Sequence, residues 1–194
     1  MPTWGQSSIT GITSTASVSS VFRMMGGTSP NVDGMVLQSL SFDFAGGASD
    51  RTVRCAIYQG GSSASPINAT LLEDLGTFTV TASEPRKFWT VASTTNPTIV
   101  KNTATWLAVK AGAGSFTWYF SSSSAQAGDF FTGDGRAGIT GATNGFDPAL
   151  GFPATLDGSN SYAAAWYAWY LDYNVGGAAP NASRSMFYAL NGMR

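Results

Sequence analysis

Between residues 39 and 44 the chain alternates strictly, with Leu40, Phe42 and Phe44 on one parity and Ser39, Ser41 and Asp43 on the other. Successive side chains of a strand point to opposite faces, so this is the pattern of a strand buried on one side. The same period of two recurs downstream. Val53, Cys55 and Ile57 oppose Thr52, Arg54 and Tyr58; Phe78 and Val80 oppose Thr77, Thr79 and Thr81; Phe116, Trp118 and Phe120 oppose Thr117 and Tyr119. RKFWTVAS, ATWLAVKA and SRSMFYALN are further candidates, and each run is short and bounded by Gly, Ser, Asn or Pro. About eight or nine such strands define an all-β chain, a two-sheet antiparallel β-sandwich. No segment has the periodicity of an amphipathic helix; the best local option is a turn near Ala69 to Asp74.

Two stretches depart from this rhythm. Residues 1–34 are rich in Ser, Thr and Gly and weakly patterned, which predicts an N-terminal arm or a loosely paired first strand, with 35–194 as the domain proper. From Ser121 to Ser159 the chain reads as one long Gly-rich loop, and a loop of that length is usually functional or ordered by a neighbour. Immediately after it comes NSYAAAWYAWYLDYNV, in which Tyr162, Trp166 and Tyr170 take one parity and Tyr167, Trp169 and Tyr173 the other. Neither face is made for water. Either one parity packs in the core while the loop or the arm covers the other, or the outer parity meets a second subunit. Interface cores favour Tyr, Trp, Phe and Met, which makes Tyr167, Trp169 and Tyr173, with Met186, Phe187 and Tyr188 near the C-terminus, the candidate subunit interface of a homo-oligomer.

Charged residues make up 11% of the chain, against about 25% in ordinary soluble domains. The net charge is -1 and the ten Lys and Arg are scattered along the chain, so no basic stripe exists for a nucleic acid. No apolar run approaches the roughly 18 residues of a membrane span, and MPTWGQSSITG has no charged region leading into an apolar one, so neither membrane insertion nor a secretion signal is expected. The single cysteine, Cys55, excludes an internal disulfide and sits on an apolar parity, where a buried small hydrophobe is expected.

There is no histidine, which removes Ser-His-Asp and Cys-His sites outright. Glu73, Glu84 and nine aspartates remain, but no pair stands out as the two carboxyls, about 5 to 10 Å apart, that a glycosidase needs. No enzyme activity and no cofactor are expected. Asp129, Asp134 and Arg136, with Asn144, Asp147 and Asp157 in later loops, have the oxygen-rich, Gly-rich setting of a Ca²⁺ site; the same residues also make turns, which is the favoured reading. For a glycan, aromatic faces flanked by Asp, Asn or Arg are the expected contacts, and parity points to Tyr58, Tyr119 and Phe131, with Phe130, Tyr167 and Trp169 as further candidates.

RTVRCAIYQGG at 51–61, LLEDLGTFTVTA at 71–82, then FWTVAS, PTIVKNTATWLAVKAG and SFTWYF, follow one another in a set order. This succession resembles a family of jelly-roll modules on phage virion proteins and some microbial surface proteins, similar in shape to carbohydrate-binding modules. Ala56, Ile57 and Tyr58, Leu71 and Leu72, Trp89 and Val91, and Trp106, Leu107 and Ala108 carry the resemblance, over roughly residues 35 to 120; Thr105 stands where an aromatic is usual. The resemblance implies a jelly-roll sandwich at a virion surface: a capsid decoration or head-fibre subunit docked on a major capsid protein or another virion protein, with a homotrimer preferred. The alternative it leaves open is a module on a tail or fibre that binds a host surface glycan or receptor.

Overall fold

The computed structural model describes residues 1–5, 14–62, 66–121, 131–134, 149, 151–156, 161–162, 166–167 and 169–176. They form no helix and twelve strands: β1 Thr3–Gly5, β2 Ser14–Thr28, β3 Met35–Ala45, β4 Arg51–Gln59, β5 Thr70–Val80, β6 Lys87–Ala92, β7 Thr98–Ile99, β8 Ala104–Ser121, β9 Phe131–Asp134, β10 Ser161–Tyr162, β11 Trp166–Tyr167 and β12 Trp169–Val175. Two antiparallel sheets pack against each other as a β-sandwich. The first runs β1-β12-β3-β6, with β7 continuing β6 beside the start of β3. The second runs β5-β4-β8-β2-β9-β10. At one corner Phe44 and Ala45 pair with Trp118 and Thr117 of β8, so the hydrogen-bonded ladder passes from one sheet to the other.

The core lies between the sheets. Leu40, Phe42 and Phe44 of β3 meet Val53, Cys55 and Ile57 of β4, Leu107 and Val109 of β8, and Trp169, Leu171 and Tyr173 of β12. Near the start of β3 the inward positions are Met35 and Leu37, of the opposite parity. The register with β12 slips between Asp172 and Tyr173, where Ser39 and Leu37 are their partners and Gln38 has none. One extra residue turns a strand over, which is how both parities of β3 reach the same core.

Within residues 1–34, for which an arm or a loosely paired first strand is expected, β1 joins the edge of the first sheet, and β2 pairs with β8 from Ser14 to Thr28, broken by one bulge between Ser19 and Val21. A Ser- and Thr-rich strand still satisfies its backbone when a long partner lies beside it, whatever its own pattern. The turn considered at Ala69 to Asp74 is instead the beginning of β5, whose two register slips against β4 place Leu75 in the core. Finally, Trp169 and Tyr173 are buried within their own chain, at 0% and 7% exposure, and offer no surface to a second subunit. Trp4 closes over Trp169 edge to face, with ring centroids 5.2 Å apart. Gly5 makes that approach possible: its φ is +121°, and a Cβ there would stand 2.5 Å from the Trp169 carbonyl oxygen.

Candidate ligand-facing surface

The two outer faces are built differently. On the second sheet, Ala56 and Tyr58 of β4, Trp106 and Ala108 of β8 and Met24 of β2 point away from the sandwich core, yet all are fully buried. Residues 151–156 run across them as a strap and add Phe152 and Leu156 to a second apolar cluster. Strap backbone bonds to the sheet at several points: Leu71 N donates to the Ala154 carbonyl (2.8 Å), Leu156 N to the Ala69 carbonyl (3.0 Å) and Asn68 N to the Leu156 carbonyl (2.7 Å). At the other end Arg54 holds Asp74 through Nε (2.8 and 3.0 Å), Phe152 N donates to the same carboxylate (3.0 Å), and Lys110 Nζ donates to the Gly151 carbonyl (3.0 Å) while lying 4.7 Å from the Phe152 ring centroid. Burial alone would raise the Asp74 pKa, but the bonds from Arg54, Phe152 N and Gly76 N outweigh it and hold the group below the usual carboxylate range.

Tyr58 is therefore not a glycan contact. Its hydroxyl donates to the Pro153 carbonyl at 2.7 Å, its ring packs edge to face on Phe152, and burial, reinforced by the Asp74 charge, pushes its phenol pKa up. Gly26 lets the Trp106 ring lie flat on β2, since a Cβ there would come within 2.6 Å of the indole.

The outer face of the first sheet carries short polar groups on its central strand. Ser39 donates to Asp172 Oδ2 (2.8 Å), Ser41 shares a hydrogen bond with Thr90 (2.8 Å), and Asp43, fully buried, takes both Nε (3.0 Å) and Nη2 (2.5 Å) of Arg86. Tyr170 of β12 and Phe88 of β6 stand on either side and meet over that strand, centroids 5.0 Å apart and planes at 69°. Both residues are half-buried. Tyr170 was legible as an aromatic of this parity; its meeting with Phe88 was not, because Phe88 lies on a strand 82 positions earlier.

Tyr119, Phe131 and Tyr167 stand in β8, β9 and β11, with their side chains outside the described part of the structure. Met186, Phe187 and Tyr188 lie outside the described residues altogether, as do Asp129, Phe130, Arg136, Asn144, Asp147 and Asp157. Asp134 ends β9 opposite Ser161. Among the described residues no three His, Cys, Asp or Glu gather as a metal site, and no helix is long and apolar enough to cross a membrane.

Carboxylates elsewhere are built into the frame. Glu73, 5% exposed, receives Ser93 Oγ (2.5 Å), Thr94 N (2.7 Å), Thr94 Oγ1 (2.9 Å) and Thr95 N (3.0 Å), which fastens the loop after β6. Burial works to raise its pKa; these hydrogen bonds overcome it and the net shift is downward. Cys55 is fully buried, and burial pushes its thiol pKa far up, as a structural cysteine requires. No protein-family model matches the chain, and no curated protein matches it.

Proposed function

We propose that the chain is a non-enzymatic structural protein of a phage virion surface, a capsid decoration or head-fibre subunit that docks on the head and stabilises it. The observation that carries this reading is where the buried charge goes: Asp43 is bound to Arg86, Glu73 to the 93–95 loop and Asp74 to Arg54 and the strap. Each of these carboxylates fastens one part of the frame to another, in a chain without histidine. A rigid, low-charge sandwich suits a part that is assembled once and must then endure. The residues behind the jelly-roll resemblance support it as well, since Ile57, Trp106, Leu107 and Ala108 are buried and Leu72, Trp89 and Val91 pack against the core. In this reading the partners are a major capsid protein and further copies of the chain, arranged as a homotrimer.

Immunogold labelling of intact particles, with antibody raised against the recombinant chain, tests the proposal. Gold over heads is the expected result. Gold confined to tails moves the protein to receptor binding, and unlabelled particles remove the virion reading.

A further inference from the structure

We infer that the outer face of the first sheet, centred on Tyr170, is a binding site for a neutral saccharide. Across the ladder, Tyr170 faces Gly5 on one side and Ser41 on the other. Gly5 has no side chain, so among the described residues nothing on β1 stands beside the ring. Thr3 and Asp172 occupy the next row on the same face. Asp172 uses Oδ2 to accept from Ser39; among the described residues no hydrogen bond engages its Oδ1 or the Tyr170 hydroxyl. A half-buried aromatic residue is thus flanked by a carboxylate oxygen that accepts, a phenol that donates or accepts, and the hydroxyl of Thr3, which is exposed. A pyranose presents the matching set: a face of C–H groups that lies on an aromatic ring, with hydroxyls around its rim.

Other occupants fit the face less well. A protein partner would need roughly 800 Å² with an apolar centre. Among the described residues none of the exposed large apolar side chains, Met1, Ile67, Val100 and Val175, occupies an outward strand position of this face. An acidic ligand would need a cation, and the one charged donor here among the described residues, Arg86, has Nε and Nη2 engaged by Asp43. That pair, with the Ser39–Asp172 and Ser41–Thr90 bonds, fixes the platform before any ligand arrives, which lowers the ordering cost of binding.

The site stands independently of where the protein resides, and it is tested on the full-length chain in isolation. Native gels cast with one polymer each, a neutral glucan, galactomannan or xylan, or the acidic alginate, measure binding as retardation. At least one neutral polymer is expected to retard the chain and alginate is not. Tyr170→Ala should weaken that retardation by at least about tenfold, and Asp172→Asn, which leaves the ring in place, by about threefold. Thermal melts check that both variants remain folded; Tyr170→Phe, which keeps the ring and loses the hydroxyl, serves if Tyr170→Ala does not, and should weaken binding about as much as Asp172→Asn. Three results would overturn the site: no retardation by any neutral polymer, retardation unchanged in the variants, or equal retardation by alginate. Sedimentation adds a fourth. If the wild-type chain is an oligomer that Tyr170→Ala dissociates, the face is a contact between copies and not a saccharide site.

Discussion

The outer faces of the two sheets carry opposite solutions to one problem, the side of a strand that does not face the core. On the second sheet the outward residues are large or apolar, Tyr58, Trp106, Met24 and Ala108, and a strap from far along the chain buries them. On the first they are Ser39, Ser41 and Asp43, bonded to polar neighbours on the next strand or the residue before it, and among the described residues two aromatics, Tyr170 and Phe88, lean over them. Among the described residues no strap crosses the first face, and its central strand is satisfied within the sheet. A covered face contributes stability, whereas an uncovered one that is already rigid is available for recognition.

The sharpest way to break this contrast is to empty the covered face. Trp106→Ala removes a fully buried indole whose Nε1 donates to the Gly60 carbonyl, and should cost about 3–5 kcal/mol in urea unfolding. On the open face, Asp43→Ala should cost about 3 kcal/mol by the same measurement, since it leaves the mostly buried Arg86 guanidinium without its carboxylate. A loss below about 1 kcal/mol there would mean that water already reaches the pair and that the platform is looser than drawn. Asp74→Asn should be milder, about 1–2 kcal/mol, with a local signature: amide exchange at Phe152 and Leu156 rises while that of β12 does not change.

Acid should loosen the covered face and the loop after β6. Glu73 and Asp74 both have folded pKa values held below their unfolded ones. Their contribution is fully present above the unfolded carboxylate pKa of about 4 and is lost as pH falls through the depressed folded values. Urea midpoints taken from pH 6 down to pH 2 should therefore decline below about pH 4, and Asp74→Asn should flatten that decline. An undiminished slope in the variant would mean that Asp74 is not the source of the acid sensitivity. At the bottom of the scale, Asp33→Ala removes the exposed ion pair with Lys101 and should leave the urea midpoint unchanged.

Where contacts are local or strictly periodic, the chain announces its structure. Leu40, Phe42 and Phe44 were legible as a core face from six residues, and Cys55 as a buried position. Tyr58 misled, because its parity marks it only as opposite to the core; that Pro153 and Phe152 cover it depends on a contact 95 positions away. Trp169 and Tyr173 misled for a related reason. Their segment is aromatic on both parities, and which one turns inward is decided by the register with β3, bulge included. The platform was hidden longest, since Tyr170, Phe88 and Gly5 come from three strands that share no motif.

Cys55 gives the molecule an internal clock. It is the only thiol in the chain, it sits between the sheets beside Val53 and Ile57, and it is fully buried. A thiol reagent must wait for the sandwich to part, so under conditions where labelling outpaces reclosing, the rate at which native protein is modified measures how often the two sheets separate. The same experiment run with and without a saccharide reports whether a ligand on the first sheet keeps the sandwich shut, with no probe added to the chain.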